Sequence, residues 1–130
     1  PGAYVAVQVY LQPTAAVDVA LADLRDALRR RSRCATTVGY GPRFLHSTGQ
    51  LHKGDGGKGL FIQITTDADQ DAPIPDEAGQ DNTSVTFGAL KQAQASGDRE
   101  ALLDAGRRVI RLHIRENVIS GLRRVSECSG

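Results

Sequence analysis

An α/β fold with a mostly parallel sheet of about four strands is what this sequence predicts, and three observations carry the prediction. β-branched apolar runs alternate along the chain with amphipathic segments of helical period. The opening run is apolar at nearly every position, as a strand covered on both faces should be. At 130 residues the chain has the length of one ordinary domain. Together they predict a single three-layer α/β domain.

Each element has its own signal. The first strand is Tyr4-Val-Ala-Val-Gln-Val-Tyr-Leu11, ended by Gln12-Pro13. After Thr14, whose hydroxyl suits a helix N-cap, Val17, Leu21, Leu24 and Leu28 recur at helical spacing, with Asp18, Asp23, Arg25, Asp26 and Arg29 on the other side. That amphipathic helix ends in Arg29-Arg-Arg-Ser-Arg33, where cations favour the dipole, so the run reads as a solvated helix end and not as a phosphate-backbone patch. Cys34 to Tyr40 forms a second short strand, and a helix begins within Leu45 to Lys53, aiming free backbone N–H groups outward.

Leu60 to Thr66 is the third strand, and Asp67 to Ser84, aperiodic and rich in Asp, Gly, Pro and Gln, is a long surface loop. Thr86 to Ala95 reads as a short helix capped by Thr86 or Ser84 and broken at Ser96-Gly97. Asp98 then caps a second short helix carrying Leu102 and Leu103, which Gly106 stops. Arg108 to Ile114 is the fourth strand, and Val118, Leu122 and Val125 mark a last helix weakened by Gly121.

Sixteen basic against fifteen acidic residues leave the chain near neutrality, without the electrostatic footprint of a nucleic-acid or anionic-membrane binder. No apolar run approaches the roughly 20 residues of a membrane span. Cys34 and Cys128 are too sparse for a disulfide scaffold and lack metal-ligand spacing, which suits a reducing, cytoplasmic setting. Met is absent even at position 1, so the expectation is a piece of a longer protein.

Chemistry concentrates between Gly41 and Gly54. This glycine-bounded turn holds Arg43, His46, Ser47, Gln50, His52 and Lys53 just after the second strand, and α/β sheets bind ligands beyond the carboxyl ends of their strands. His46 has two readings: a loop histidine that bonds the backbone, or an acid/base group oriented by Ser47, Gln50, His52 and Lys53. His52 and Lys53 could equally be exposed at the end of the turn. His113 alternates with apolar positions and reads as a satisfied structural residue. Gly54-Asp-Gly-Gly-Lys-Gly59 leads into a strand and not a helix, so it reads as a flexible loop and not a phosphate loop.

The string Gly39-Tyr-Gly-Pro-Arg-Phe-Leu-His-Ser-Thr-Gly-Gln-Leu-His-Lys-Gly54, followed by Leu60 to Thr65, Pro73-Ile-Pro75, Thr86-Phe-Gly-Ala-Leu-Lys91, Ala93-Gln-Ala95, Gly97-Asp98 and Gly106-Arg-Arg-Val109, resembles the C-terminal part of bifunctional transaldolase/glucose-6-phosphate isomerase proteins. Leu45-His-Ser-Thr-Gly-Gln50 also resembles a segment of bacterial glucose-6-phosphate isomerases. The likeness covers nearly the whole chain.

That resemblance implies a sugar-isomerase-type architecture and the interconversion of glucose 6-phosphate and fructose 6-phosphate through an enediol, with neither metal nor cofactor. It implies ring opening by His46, with Ser47 and Gln50 as polar support and Lys53 as a contact to the sugar phosphate. The family's glutamate base lies in a Glu-Ser-x-Gly-Lys segment and a further lysine in an Asn-Pro-Phe-Asp-Gln-Pro segment; neither occurs here. The chain thus resembles one portion of a divided site, completed by the rest of its parent chain and inactive alone. The oligomeric state stays open, with a homo-oligomer among the candidates. The alternative is a non-catalytic binding or interface module that stabilises the parent enzyme or its oligomer.

Overall fold

The computed structural model describes residues 2–68 and 70–129. Four strands make the main sheet: β1 (Tyr4–Tyr10), β2 (Ala35–Tyr40), β3 (Gly59–Thr66) and β6 (Arg108–Ile114). Their order is β2-β1-β3-β6 and every pairing is parallel. Helices α1 (Ala15–Ser32) and α4 (Val118–Ser129) cover one face, while α2 (Thr48–Gly54) and α3 (Phe87–Asp104) cover the other. The domain is therefore the predicted three-layer α/β structure.

Strand register decides what each face contains. Val5, Val7 and Val9 of β1 and Ile62 and Ile64 of β3 point towards α1 and α4, where Val17, Ala20, Leu21, Leu24, Ile114 and Leu122 meet them. Burying each such side chain contributes about 1.5–3 kcal/mol, so this apolar layer is the main source of stability. The alternate residues Ala6, Gln8 and Tyr10 face α2 and α3, in register with Phe61, Gln63 and Thr65. Strand β1 is buried on both faces as predicted, yet Gln8 is only 1% exposed.

Thr14 caps α1 through its hydroxyl, which accepts from the Val17 N–H at 3.2 Å, and Arg33 ends the helix in a left-handed conformation. Thr86 caps α3 in the same way, accepting from Ala89. Helix α3 corrects the predicted break at Ser96-Gly97: it runs unbroken to Asp104, and Asp98 is a buried mid-helix residue, not a cap. Gly97 costs a helix interior roughly 1 kcal/mol. The burial of Ala95 and Leu102 on either side outweighs that cost.

Gly121 likewise does more than weaken α4. A Cβ there would lie 2.6 Å from Ile114 Cγ2, so glycine lets the helix seat on the end of β6. The loop predicted for positions 67–84 is largely exposed, but it includes β4 (Pro73–Ile74), which pairs antiparallel with β5 (Val85–Thr86). Asp69 of that loop lies outside the described residues. Among the described residues, no helix is long and apolar enough to cross a membrane.

Candidate functional site

After β2 the chain turns over the carboxyl edge of the sheet. The Gly41 N–H donates to Val9 O at 2.8 Å, and Arg43–His46 forms a single 3-10 turn before α2. Phe44 drives this conformation by burying its ring against Tyr10, edge-on at a centroid distance of 5.9 Å. A Cβ on Gly41 would stand 2.6 Å from the Tyr10 ring, which explains the glycine there. The predicted helix start is thus split into a 3-10 turn and a short α-helix.

The polar groups gathered in this segment separate into two sets. Gln50 donates its Nε2 to Leu45 O at 3.0 Å, and Ser47 Oγ lies 3.4 Å from Phe44 O, so both side chains fasten the turn's own backbone. His46 is exposed and forms no hydrogen bond or ion pair among the described residues. Neither Ser47 nor Gln50 bonds to its ring.

His52 and Lys53 turn inward instead. Lys53 Nζ lies 3.1 Å from Asp98 Oδ1 of α3, forming an ion pair over a carboxylate that is 1% exposed. The His52 ring is enclosed by Phe61 at 5.0 Å, Tyr4 at 6.2 Å and Phe44 at 6.4 Å, and its Nδ1 meets Gln8 Nε2 at 3.4 Å. Burial holds the imidazole below its ordinary pKa; Asp98 and Asp55 oppose that shift and Lys53 adds to it. Neutral histidine is therefore the form suited to this position.

A polar row crosses the sheet beneath α3. Gln8, Gln63 and Arg111 stand opposite one another in register. Gln63 donates to Ala95 O at 2.9 Å and accepts from Arg111 Nε at 2.7 Å. Tyr10 Oη, Gln8 Oε1 and both Asp98 oxygens are buried without a hydrogen-bond partner among the described residues, and Asp98 is met by the Lys53 ion pair alone. Sequence reasoning passed over this row. Its signal was available as a glutamine at an alternate position in each of the two most apolar strands.

The far end of α2 is held by Arg107, which donates to the carbonyls of His52, Lys53, Asp55 and Ala105 and pairs with Asp55 at 2.9 Å. Burial works against ionisation of Asp55. The Tyr4 hydroxyl, the Gly57 N–H and the Arg107 guanidinium nonetheless hold its carboxyl below the usual range. The Tyr4 phenol, half-buried and bonded to that carboxylate, is pushed up to about 12. The Gly54–Gly59 loop is thus a fastened turn and not a loose one.

His113 is satisfied, as its strand position suggested: Nδ1 meets Thr65 Oγ1 at 2.8 Å and Nε2 meets Asp67 at 3.2 Å. Among the described residues, no group of three or more His, Cys, Asp or Glu side chains could hold a metal ion.

A doubly wound α/β domain with an exposed histidine at its carboxyl edge is the class that fold and site define. No protein-family model matches the sequence, and no curated protein matches it. Among solved structures, the chain is similar to a hypothetical protein, TT0462, from Thermus thermophilus, with 19% identity and a TM-score of 0.72. The match covers 97% of this chain and 33% of that one, so the chain spans about a third of that protein's length. At this identity the likeness is one of fold.

Proposed function

We propose that this chain is one portion of a glucose-6-phosphate isomerase, fused in its parent to transaldolase, and that His46 is the group that opens the sugar ring. The observation that carries the reading is the state of that imidazole. It stands exposed at the carboxyl edge of the sheet, on a turn fixed by Phe44, and no protein group among the described residues uses it. A protonated His46 donates to the ring oxygen as the bond from C1 to that oxygen breaks, leaving a hydroxyl on C5, while the C1 hydroxyl proton passes to water. The glutamate base that moves the C2 proton to C1 comes from the rest of the parent chain. Ser47 and Gln50 act by holding the turn. Lys53, paired with Asp98 at 3.1 Å, is the candidate contact to the sugar phosphate.

The test is His46→Ala in the full-length parent. Turnover of cyclic glucose 6-phosphate is expected to fall by roughly 10²-fold or more, the range of general acid–base catalysis, with the fold unchanged. Undiminished turnover by a folded variant would rule out the role. Leu51 and Phe87, 71% and 59% exposed, support a second reading as an interface module for the parent or its oligomer. Ring resonances of His46 that ignore added sugar phosphate in the parent would favour that one.

A further inference from the structure

The main sheet has two edges, and the chain treats them differently. Strand β6 closes one side of the order β2-β1-β3-β6 and carries Arg108, Arg111 and His113, the kind of polar edge that discourages further strand pairing. Strand β2 closes the other side with Ala35-Thr-Thr-Val-Gly-Tyr40, which has no charge, no proline and no fully buried residue. It runs in unbroken parallel register with β1, so no bulge twists it away, and its outer backbone N–H and C=O groups have no strand partner among the described residues. Such a row is a template for another strand.

The helix beside this edge selects the partner. Asp18, Ala22, Arg25 and Arg29 recur on α1 at spacings of four, three and four, which places them on one stripe, and all four are exposed. Asp18, Ala22 and Arg25 border a groove of about 180 Å³ together with Val38, Gly39 and Tyr40, so the stripe follows the open edge. Tyr40 Oη donates to Asp18 Oδ1 at 2.6 Å, which sets the acidic end of the stripe at the carboxyl end of β2. Because α1 connects two parallel strands it runs against β2, and its arginines lie towards the strand's amino end.

That polarity is self-complementary. When a second copy is turned so that the two β2 strands run antiparallel, Asp18 of each copy approaches Arg25 and Arg29 of the other. Ala22 lies about 6 Å along the helix from Asp18, and Val38 about 7 Å along the strand from Tyr40. One two-fold axis at the level of Val38 therefore also passes Ala22, whose methyl lets the helices approach. We propose that β2 pairs antiparallel with β2 of a second copy of this chain about that axis, joining two four-stranded sheets into one. The pairing does not rest on the ring-opening role of His46.

Sedimentation equilibrium of the chain at about 100 µM should give a species of twice the chain mass that dissociates on dilution, as a small interface does. Ala22→Glu and Ala22→Lys each set a charge against its own copy across the axis, and each should lower the association constant about tenfold or more with circular dichroism unchanged. Mixed in equal amounts, the two variants should restore a one-to-one heterodimer. Outward amides within residues 35–40 should exchange more slowly in the unaltered chain than in Ala22→Glu. A chain that is monomeric at this concentration, a dimer that both Ala22 variants leave intact, or a mixture of the two that stays monomeric would each overturn the proposal. None of these outcomes would bear on ring opening in the parent.

Discussion

The two faces of the sheet are built by neighbouring residues of the same strands, yet they solve burial in opposite ways. Towards α1 and α4, Val5, Val7, Val9, Ile62 and Ile64 form a layer with no polar atom to satisfy. Towards α2 and α3, Gln8, Gln63 and Arg111 run across the sheet, with Tyr10, His52 and Asp98 around them. The first face depends on contact area and the second on partners. A substitution on the apolar face costs in proportion to the volume it empties, whereas on the polar face the cost depends on which partner is left behind.

The largest expected effect lies on the apolar face. Leu24, fully buried at 0% exposure, should cost about 2–5 kcal/mol when changed to Ala, read as a lower urea midpoint with an unchanged slope. A loss under about 1 kcal/mol would mean that α1 collapses onto the gap and that the layer is looser than described.

On the polar face, Arg111→Met should cost about 1–3 kcal/mol, because Gln63 Oε1 loses its donor. Adding Gln63→Met should recover much of that loss. A double variant as unstable as the sum of the two singles would show that the row does not act as a unit, and would erase the contrast between the faces.

A smaller effect should appear with pH. The folded-state pKa of His52 lies below its unfolded value, so the unfolded chain binds more protons in the interval between them. The stability it contributes is present above the unfolded value near 6.5 and is lost as the pH falls towards the folded pKa. Asp55, with a lowered carboxyl, acts in a separate and more acidic window. Urea titrations between about pH 7.5 and 5 should therefore show a slope that His52→Gln flattens; a variant with the native slope would remove His52 as its source.

The three layers, all four main strands and the Thr14 cap were legible in the sequence, with Thr86 one of two candidates for the cap of α3, because each rests on local chemistry: β-branched runs, helical spacing, and a hydroxyl before an apolar repeat. The continuity of α3 was not. Ser96-Gly97-Asp98 has the local chemistry of a break, and what overrides it is tertiary: Ala95 and Leu102 bury against the sheet and Asp98 meets Lys53 of α2. At the site, position was legible and direction was not. The polar residues between Gly41 and Gly54 look alike in sequence, but Phe44 and the aromatic enclosure of His52 decide that His46 faces out while His52 and Lys53 face in.

The clasp made by Arg107 has a consequence for the order in which the molecule assembles. Its bonds to Asp55, Lys53 and His52 span 52, 54 and 55 residues of chain. A nascent chain emerging from the ribosome presents the histidine-bearing turn long before the guanidinium that fastens its far end. The part of this protein with the most chemistry is thus secured by the residue that leads into the last strand of the sheet, and a chain stopped short of Arg107 would carry the complete turn with its fastening missing.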